Sequence, residues 1–291
     1  MNRLIKTYSF TLLLTAIFVI SLSACNNESD PDPVVNPPTP PAPLPELEYK
    51  LVWEDNFDGT ELDTTQWSYQ IGTGTLYGLD RWGNNELQYY TDRPENVKVE
   101  NGSLIITALE EDFDGSEFTS ARLRTKDKAD WTFGKFEFRA KMPKGQGLWP
   151  ALWMLSTDEV FGTWPKSGEI DVMELVGHEP EITHGTIHYG PDWPNNKSKT
   201  RSKALESGDF SDDFHVFTIE WEVNKIQWFL DGELFYTMDS QSIRPDNWPF
   251  NQKFHLLVNV AVGGNWPGNP DDTTVFPQTM EIDYIKVYQL Q

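Results

Sequence analysis

Residues 135–142 read KFEFRAKM, a run that alternates charged and apolar side chains. Successive side chains of a β-strand point to opposite faces, so this alternation makes one face polar and the other apolar. An amphipathic helix would instead repeat its apolar residues every three or four positions. The run therefore predicts a β-strand with one face buried and the other in water.

Turn signals and further β-rich runs extend this prediction along the chain. Asn101-Gly102 and Asp231-Gly232 each separate two β-rich runs, and both dipeptides favour the tight turns of hairpins. Other β-rich runs are residues 215–221, 254–262 and 281–288. We find no convincing amphipathic helix and no internal repeat of about 20–50 residues. The pattern predicts an all-β fold, either an antiparallel sandwich or a barrel.

Residues 1–24 have the features of a secretory signal. Arg3 and Lys6 precede an apolar stretch at residues 10–22, which is too short for a confident membrane span. Cys25, the only cysteine, follows Leu22-Ser23-Ala24, and this arrangement resembles a bacterial lipobox. The resemblance implies cleavage before Cys25 and acylation of its thiol. The alternatives are an uncleaved anchor helix and an incidental cysteine beside an ordinary cleavage site.

A proline-rich linker is expected between this signal and a folded domain. Residues 25–46 contain the cysteine, acidic residues and a proline tract, with too few apolar groups to offset the entropy of ordering. Residues 47–291 have a length that is ordinary for an all-β sandwich. We therefore expect an exported bacterial lipoprotein at the outer membrane or cell surface. Its only membrane contact would be the N-terminal lipid.

The charge of the chain restricts its partners. Twenty-three basic and 45 acidic residues give a formal net charge of −22. Such a chain repels nucleic acids and polyanionic polysaccharides, but it does not repel a neutral polymer. Twelve tryptophans supply apolar side chains for the core and flat surfaces on which sugar rings stack. We expect a monomer whose partner is a neutral polysaccharide.

The run GEIDVMEL at residues 168–175 contains three acidic residues among apolar ones. In a regular strand Glu169 and Asp171 share one face, whereas Glu174 points to the apolar face of Ile170 and Val172. A charged carboxylate buried alone on that face is very costly. One extra residue in the strand, a β-bulge near Val172-Met173, returns Glu174 to the face of Glu169 and Asp171. We therefore predict a bulged strand with three acids on one side.

Two glutamates on one face suit a retaining glycosidase. At a carboxyl separation of about 5–5.5 Å, one can attack the anomeric carbon while the other protonates the leaving oxygen. Asp171 between them can hydrogen-bond one carboxyl and keep the pKa values of the pair apart. A solvated acidic strand and a calcium site are the alternatives.

The surroundings of the acidic run resemble glycoside hydrolase family 16, in its laminarinase branch. Residues 145–155 read GQGLWPALWML upstream, and residues 184–190 read HGTIHYG downstream. The resemblance continues at WEDNF (53–57), GNNELQYY (83–90), TSAR (119–122), NVAVGGNWPG (259–268) and DYIKVY (283–288). It covers nearly all of residues 50–290.

The resemblance implies a fold and a set of catalytic residues. The fold would be an antiparallel β-jelly-roll sandwich of the concanavalin type, with a glycan cleft across its concave sheet. Glu169 would be the nucleophile, Glu174 the general acid/base and Asp171 the assisting carboxylate. His188 would hydrogen-bond the acids from a neighbouring strand, or else be a structural histidine.

The same resemblance implies binding residues and a metal. Trp149 and Trp153 would lie near the cleft, with Trp164 and Trp266 on bordering loops. Other expected glucan contacts are Asn85, Asn259 and Arg122, the last of which could equally be an ordinary surface arginine. Catalysis would need no cofactor. A structural calcium away from the cleft would be held by Glu54, Gly102 and Asp283.

The resemblance leaves three functions open. The first is endo-hydrolysis of β-1,3-glucan, with mixed β-1,3/1,4-glucan as a side substrate. The second is cleavage of agar or carrageenan, although the charge of −22 disfavours a sulfated chain. The third is a glycan-binding protein on the same scaffold, which we expect to have lost one of the acids.

Overall fold

A computed structural model describes residues 47–291, which consist mainly of β-strands. The strands are β1 (Tyr49–Asp55), β2 (Ser68–Tyr69), β3 (Gln88–Tyr90), β4 (Val97–Glu100), β5 (Ser103–Phe113), β6 (Ser116–Ser120), β7 (Arg122–Arg124), β8 (Gly134–Lys141), β9 (Leu148–Ser156), β10 (Glu169–Glu174), β11 (Ile182–Tyr189), β12 (Lys197–Ala204), β13 (His215–Glu222), β14 (Lys225–Leu230), β15 (Glu233–Asp239), β16 (Phe254–Val262) and β17 (Gln278–Leu290). Two 3₁₀ helices, Thr75–Tyr77 and Asp80–Gly83, complete the elements of this part. No helix in residues 47–291 is long and apolar enough to span a membrane.

The strands form two sheets. The ten-stranded sheet has the order β15-β14-β13-β8-β17-β5-β6-β3, with β1 on β17 and β4 on β5. The seven-stranded sheet has the order β12-β11-β10-β9-β16-β7-β2. The pairings between these strands are antiparallel except that of β3 with β6, which is parallel. The predicted all-β fold with two sheets is confirmed, with this one parallel pair as a departure from the antiparallel expectation.

Both predicted hairpin turns are present. Glu100 pairs with Ser103 across the Asn101-Gly102 turn, and Leu230 pairs with Glu233 across the Asp231-Gly232 turn. All four turn residues have positive φ, between 49° and 81°. That conformation is the one that two-residue hairpin turns of type I′ require, and Asn, Asp and Gly adopt it most readily.

The alternating run at residues 135–142 occupies strand β8. Phe136 and Phe138 are buried, whereas the charged residues that alternate with the apolar ones, Lys135, Glu137, Arg139 and Lys141, are half-exposed. Phe136 packs against Trp221 of β13 with ring centroids 6.1 Å apart, and Trp221 packs against Phe254 of β16 at 5.4 Å. This contact joins the two sheets. Each such ring stabilises the fold by about 2–3 kcal/mol through removal of apolar surface from water.

The residues assigned to export and lipidation lie outside the described part of the chain. These are residues 1–46, including Cys25. The signal, the lipid and the linker therefore stay predictions.

Candidate active site

A bulge in β10 places its three acids on one face. On β9, Glu169 lies opposite Leu155, Asp171 opposite Trp153 and Glu174 opposite Ala151. These β9 positions alternate along their strand and so share a face. The register shifts between Asp171 and Glu174 against both neighbouring strands. The predicted bulge near Val172-Met173 is confirmed, and Glu174 returns to the side of Glu169 and Asp171.

The apolar residues of β10 explain why the bulge forms. Ile170, Val172 and Met173 are all buried, with at most 3% of their surface exposed. Behind the strand, Trp228 Nε1 donates a 2.8 Å hydrogen bond to the backbone oxygen of Asp171. The extra residue lets three apolar side chains enter the core without taking Glu174 with them.

His188 supplies a positive charge to the acids. It lies opposite Glu169 on β11, with Nε2 3.4 Å from Asp171 Oδ2 and 3.7 Å from Glu169 Oε1. Burial lowers the pKa of His188, but the close contact with Asp171 and the negative charges of the three acids outweigh it and raise the pKa to about 10. The imidazole is therefore cationic at neutral pH. The predicted position on a neighbouring strand, beside the acids, is confirmed.

The two glutamates differ in proton affinity. Burial, followed by the charge of Asp171, raises the pKa of Glu169 to about 7. The same two causes raise the pKa of Glu174 well above its usual value, and the charge of Glu169 raises it further. His188 lowers the pKa of both groups, whereas Arg122 and hydrogen bonding from Trp164 lower only that of Glu169. The charge of Glu169 thus adds to the causes that favour the protonated form of Glu174, whereas Arg122 favours the ionised form of Glu169.

Two tryptophans and a histidine lie around Glu174. Trp149 Nε1 donates a 3.0 Å hydrogen bond to Glu174 Oε1, and the Trp149 ring meets Trp266 edge-on at 5.5 Å. His184 lies opposite Glu174 on β11 and meets Trp266 at 5.1 Å. We did not predict His184 from the sequence. Its spacing of four residues from His188 was the available signal, because residues four apart on a strand share a face.

Arg122 is buried in the wall of this face. Its guanidinium lies between the rings of Trp82 and Trp153, 4.4 and 4.7 Å from their centroids. Its Nε donates a 2.7 Å hydrogen bond to Gln70 Oε1. Only 7% of Arg122 is exposed, so the alternative of an ordinary surface arginine is wrong. Its stacked position fixes the guanidinium in one orientation.

A chain of hydrogen bonds links Trp153 to the buried carboxylate of Glu86. Trp153 Nε1 donates to Asn259 Oδ1 at 2.8 Å, and Asn259 Nδ2 donates to the Tyr90 hydroxyl at 3.1 Å. The Tyr90 hydroxyl in turn donates to Glu86 Oε2 at 3.3 Å. Burial raises the pKa of Glu86, although Arg122 and three hydrogen bonds lower it. We did not predict Glu86 or Tyr90 as part of the site, because they are connected to it only through Arg122 and Asn259, which are distant in the chain.

The remaining predicted binding residues lie on loops that border this face. Asn85 is exposed, and its Nδ2 donates a 2.8 Å hydrogen bond to Asn265 Oδ1, next to Trp266. Trp164 lies 6.1 Å from the His188 ring. Trp164 and Trp266 are 39% and 41% exposed, as expected of side chains that meet a polymer in water.

The three predicted calcium ligands lie near one segment of β17. Leu104, two residues after Gly102, pairs with Ile282, and Asp283 follows. Glu54 pairs with Lys286 further along the same strand. However, Asp283 already makes a 2.6 Å ion pair with Arg139, and Glu54 Oε2 lies 3.8 Å from Lys286 Nζ. The oxygen donors suit calcium, but an ion would have to compete with both cations.

A group of side chains on the acidic face has the spacing of a metal site. Atoms of Glu169, Asp171 and His188 lie within 4.8 Å of one another, the only such group of His, Cys, Asp and Glu in residues 47–291. The histidine already brings positive charge to this position. Two cavities of about 480 and 460 Å³ lie on the ten-stranded sheet and contain none of these residues.

The comparison with known proteins assigns the family. The family described as Glycosyl hydrolases family 16 matches residues 84–286. This chain belongs to glycosyl hydrolase family 16. Within the family it is 43% identical over 251 residues to a beta-glucanase of Rhodothermus marinus, a match that covers 83% of this chain and 85% of that protein.

Two further members show the extent of the similarity. A glucan endo-1,3-beta-glucosidase A1 of Niallia circulans is 41% identical over 262 residues, which cover 83% of this chain but only 38% of that longer protein. The crystal structure of the laminarinase catalytic domain of Thermotoga maritima is 43% identical, with a TM-score of 0.77. That match covers 83% of this chain and 98% of the solved domain, so nearly the whole of the solved family 16 domain has a counterpart in this chain.

Proposed function

We propose that this family 16 enzyme is a retaining endo-β-1,3-glucanase. The bulge carries the proposal, because it places Glu169 and Glu174 on one face, where Arg122 favours the ionised form of Glu169 and the charge of Glu169 favours the protonated form of Glu174. Relatives named as glucan endo-1,3-beta-glucosidase and laminarinase support β-1,3-glucan as the substrate. The formal charge of −22 suits a neutral polysaccharide.

Hydrolysis proceeds by double displacement. Ionised Glu169 attacks the anomeric carbon, and Glu174 donates its proton to the glycosidic oxygen as the bond between that carbon and the oxygen breaks. The product is a glycosyl ester of Glu169. Glu174, now ionised, takes a proton from water as the water oxygen attacks the anomeric carbon. Glu169 leaves as a carboxylate, Glu174 has regained its proton, and the β-configuration is retained.

Asp171 and His188 control the charge of the pair. The Asp171 carboxylate disfavours a second negative charge on Glu174, which therefore holds the proton it must donate. Cationic His188 keeps Glu169 ionisable near neutral pH despite its burial. The two glutamates differ because the charge of Glu169 also favours the protonated form of Glu174, whereas Arg122 favours the ionised form of Glu169. These functions need no cofactor.

The walls of the face position the glucan. Arg122 and Asn259 present polar groups that are held by the buried Glu86 network. The half-exposed rings of Trp149, Trp153, Trp164 and Trp266 offer flat apolar surfaces for glucose rings. Asn85 contributes an amide from the bordering loop.

Product analysis on four polysaccharides tests the substrate. We expect reducing ends from laminarin, fewer from lichenan, and none from agarose or carrageenan, with the β-anomer seen first by proton NMR. Glu169→Gln should abolish release from all of them. Release from agarose or carrageenan alone would assign a galactan hydrolase. Binding of laminarin without any release would assign a glycan-binding protein.

We also propose that the protein is a monomeric, exported lipoprotein. Cys25 after Leu22-Ser23-Ala24 supports acylation at that residue. Labelling of cells with a radioactive fatty acid should mark the wild-type protein but not Cys25→Ala. Protease treatment of intact cells distinguishes display at the cell surface from the inner face of the outer membrane. Light scattering of residues 47–291 should give the mass of one chain.

Finally, we propose a structural calcium beside Asp283. The oxygen donors of Glu54, Gly102 and Asp283 around one segment of β17 support this assignment. Calcium should raise the melting temperature of the wild type, and a chelator should reverse the rise. Asp283→Asn should remove the response without changing the activity per folded molecule. An unchanged melting temperature with and without calcium would exclude the site.

A further inference from the structure

Four large apolar side chains are exposed on two loops at one end of the acidic strand. Val160, Phe161 and Trp164 lie in the loop at residues 157–168, which leads into Glu169, and their exposed fractions are 64%, 50% and 39%. Trp193, 74% exposed, lies in the loop at residues 190–196 that follows His188 and Tyr189. Exposed apolar groups collected in one place mark binding surfaces more often than single ones do.

The two loops are joined and ordered. Lys166 Nζ lies 2.7 Å from Asp192 Oδ2, so the residue next to Trp193 is tied to the loop of Trp164. The Phe161 backbone N–H donates to Ser167 Oγ at 3.0 Å, and the Val160 N–H donates to Gln252 Oε1 at 3.2 Å. Ser167 and Gln252 are buried. Val160 and Phe161 are thus presented to solvent by backbone that is hydrogen-bonded to buried side chains.

This surface is continuous with the candidate active site. The Trp164 ring lies 6.1 Å from the His188 ring, and the Trp164 side chain lowers the pKa of the Glu169 carboxyl. Trp193 lies on the other loop, one residue beyond the ion pair. The two loops therefore adjoin the acidic strand at the paired residues Glu169 and His188.

We propose that Phe161 and Trp193, here called the outer rim, bind a segment of β-1,3-glucan that extends beyond the catalytic cleft. The C–H faces of β-linked glucose rings pack on flat aromatic side chains while the hydroxyls stay in water. The Lys166–Asp192 pair brings no net charge, which suits a neutral chain. This inference rests on the proposed function and adds a site that holds long or particulate substrate.

Binding measured in an inactive background tests the rim. Trp193→Ala and Phe161→Ala are made in the Glu169→Gln protein, and depletion from suspended curdlan particles is measured. The matched control is Val223→Ala, which removes a 62% exposed apolar side chain from the β13–β14 turn on the other sheet. Trp193→Phe keeps an aromatic face at the same position.

We expect Trp193→Ala to weaken binding to curdlan about tenfold, which is about 1.4 kcal/mol. Phe161→Ala should weaken it less, and Trp193→Phe and Val223→Ala should stay within about twofold of the parent. Affinity for laminaripentaose should be unchanged in every variant, because the proposed rim binds only the part of a long chain that extends beyond the cleft.

Equal binding of curdlan by Trp193→Ala and its parent would overturn the rim. The rim would also be overturned if Trp193→Ala lost affinity for laminaripentaose as much as for curdlan, because that result would indicate a disturbed cleft. If the active enzyme cleaves laminarin but the Trp193→Ala and Phe161→Ala variants bind curdlan as well as their parent, the rim is excluded and the proposed function stands. If it neither binds nor cleaves any β-glucan, the proposed function and the rim fail together.

Discussion

The indole nitrogen of Trp149 donates a 3.0 Å hydrogen bond to the carboxyl of Glu174, and this bond lowers the pKa of Glu174. The bond joins adjacent strands of the seven-stranded sheet, β9 and β10, at the bulge. Its effect on the pKa of Glu174 is opposite to that of burial and of the neighbouring negative charges, which raise the pKa. Trp149 therefore limits how strongly the proposed acid holds its proton.

Trp149→Phe tests this bond. Phenylalanine keeps an aromatic ring near Trp266 but donates no hydrogen bond, so the pKa of Glu174 should rise. The basic limb of the kcat/KM profile should move to higher pH, with a fall in kcat of about tenfold from a less acidic proton donor. A pH–rate profile on laminarin measures both. An unmoved basic limb would show that Glu174 does not govern it.

The acidic limb should report Glu169. The nucleophile must be ionised, so activity falls as pH decreases through its pKa of about 7. Cationic His188 lowers that pKa, and His188→Gln should therefore shift the acidic limb to higher pH. His178→Gln, which changes an exposed histidine, is the control and should leave the profile unchanged. A shift to lower pH in His188→Gln would contradict the assigned charge.

Azide should rescue a variant that lacks the acid/base. Glu174→Ala should lower kcat on laminarin by about 10³-fold, because both proton transfers lose their catalyst. Azide needs no general base, so it should restore turnover of aryl β-glucosides with good leaving groups. The product should be a β-glycosyl azide. An α-glycosyl azide is the product expected when azide replaces a missing nucleophile. That product would indicate that Glu174 is the nucleophile and Glu169 the acid/base.

Glu169 should destabilise the fold at high pH. Its pKa is raised in the folded state, so its contribution to stability is complete below the unfolded pKa and is lost as pH rises through about 7. Glu169→Gln should therefore gain about 1–3 kcal/mol in unfolding free energy over the wild type between pH 5 and pH 8.5. Urea unfolding at both pH values measures this. Glu110→Gln, at an exposed position of β5, should show no such gain.

The buried carboxylate of Glu86 should stabilise the wall that holds Arg122. Glu86→Ala leaves the side-chain amides of Gln88 and Asn84 and the Tyr90 hydroxyl without their acceptor. We expect a loss of about 2–4 kcal/mol in unfolding free energy, against less than about 0.5 kcal/mol for Glu110→Ala. A loss no larger than that of the control would show that water replaces the carboxylate.

Local pattern was enough to predict the elements and the position of the acids. The alternation at residues 135–142 became β8, and the two hairpin turns formed at Asn101-Gly102 and Asp231-Gly232. The bulge in β10 was also predictable, because burial of Ile170 and Val172 conflicts with burial of a charged Glu174. Each of these inferences compares neighbours along one strand, which a sequence shows directly.

The partners of the acids were decided by tertiary structure. Glu86 and Tyr90 come from one segment, and Arg122 and Asn259 from two others. The three segments meet because β7 pairs with β16 and the segment at residues 86–90 hydrogen-bonds to β16. His184 and Trp193 became notable only once burial and exposure were known. A sequence specifies which faces are apolar and where a strand must bulge, whereas hydrogen bonds and pKa values depend on distances between residues that are far apart in the chain.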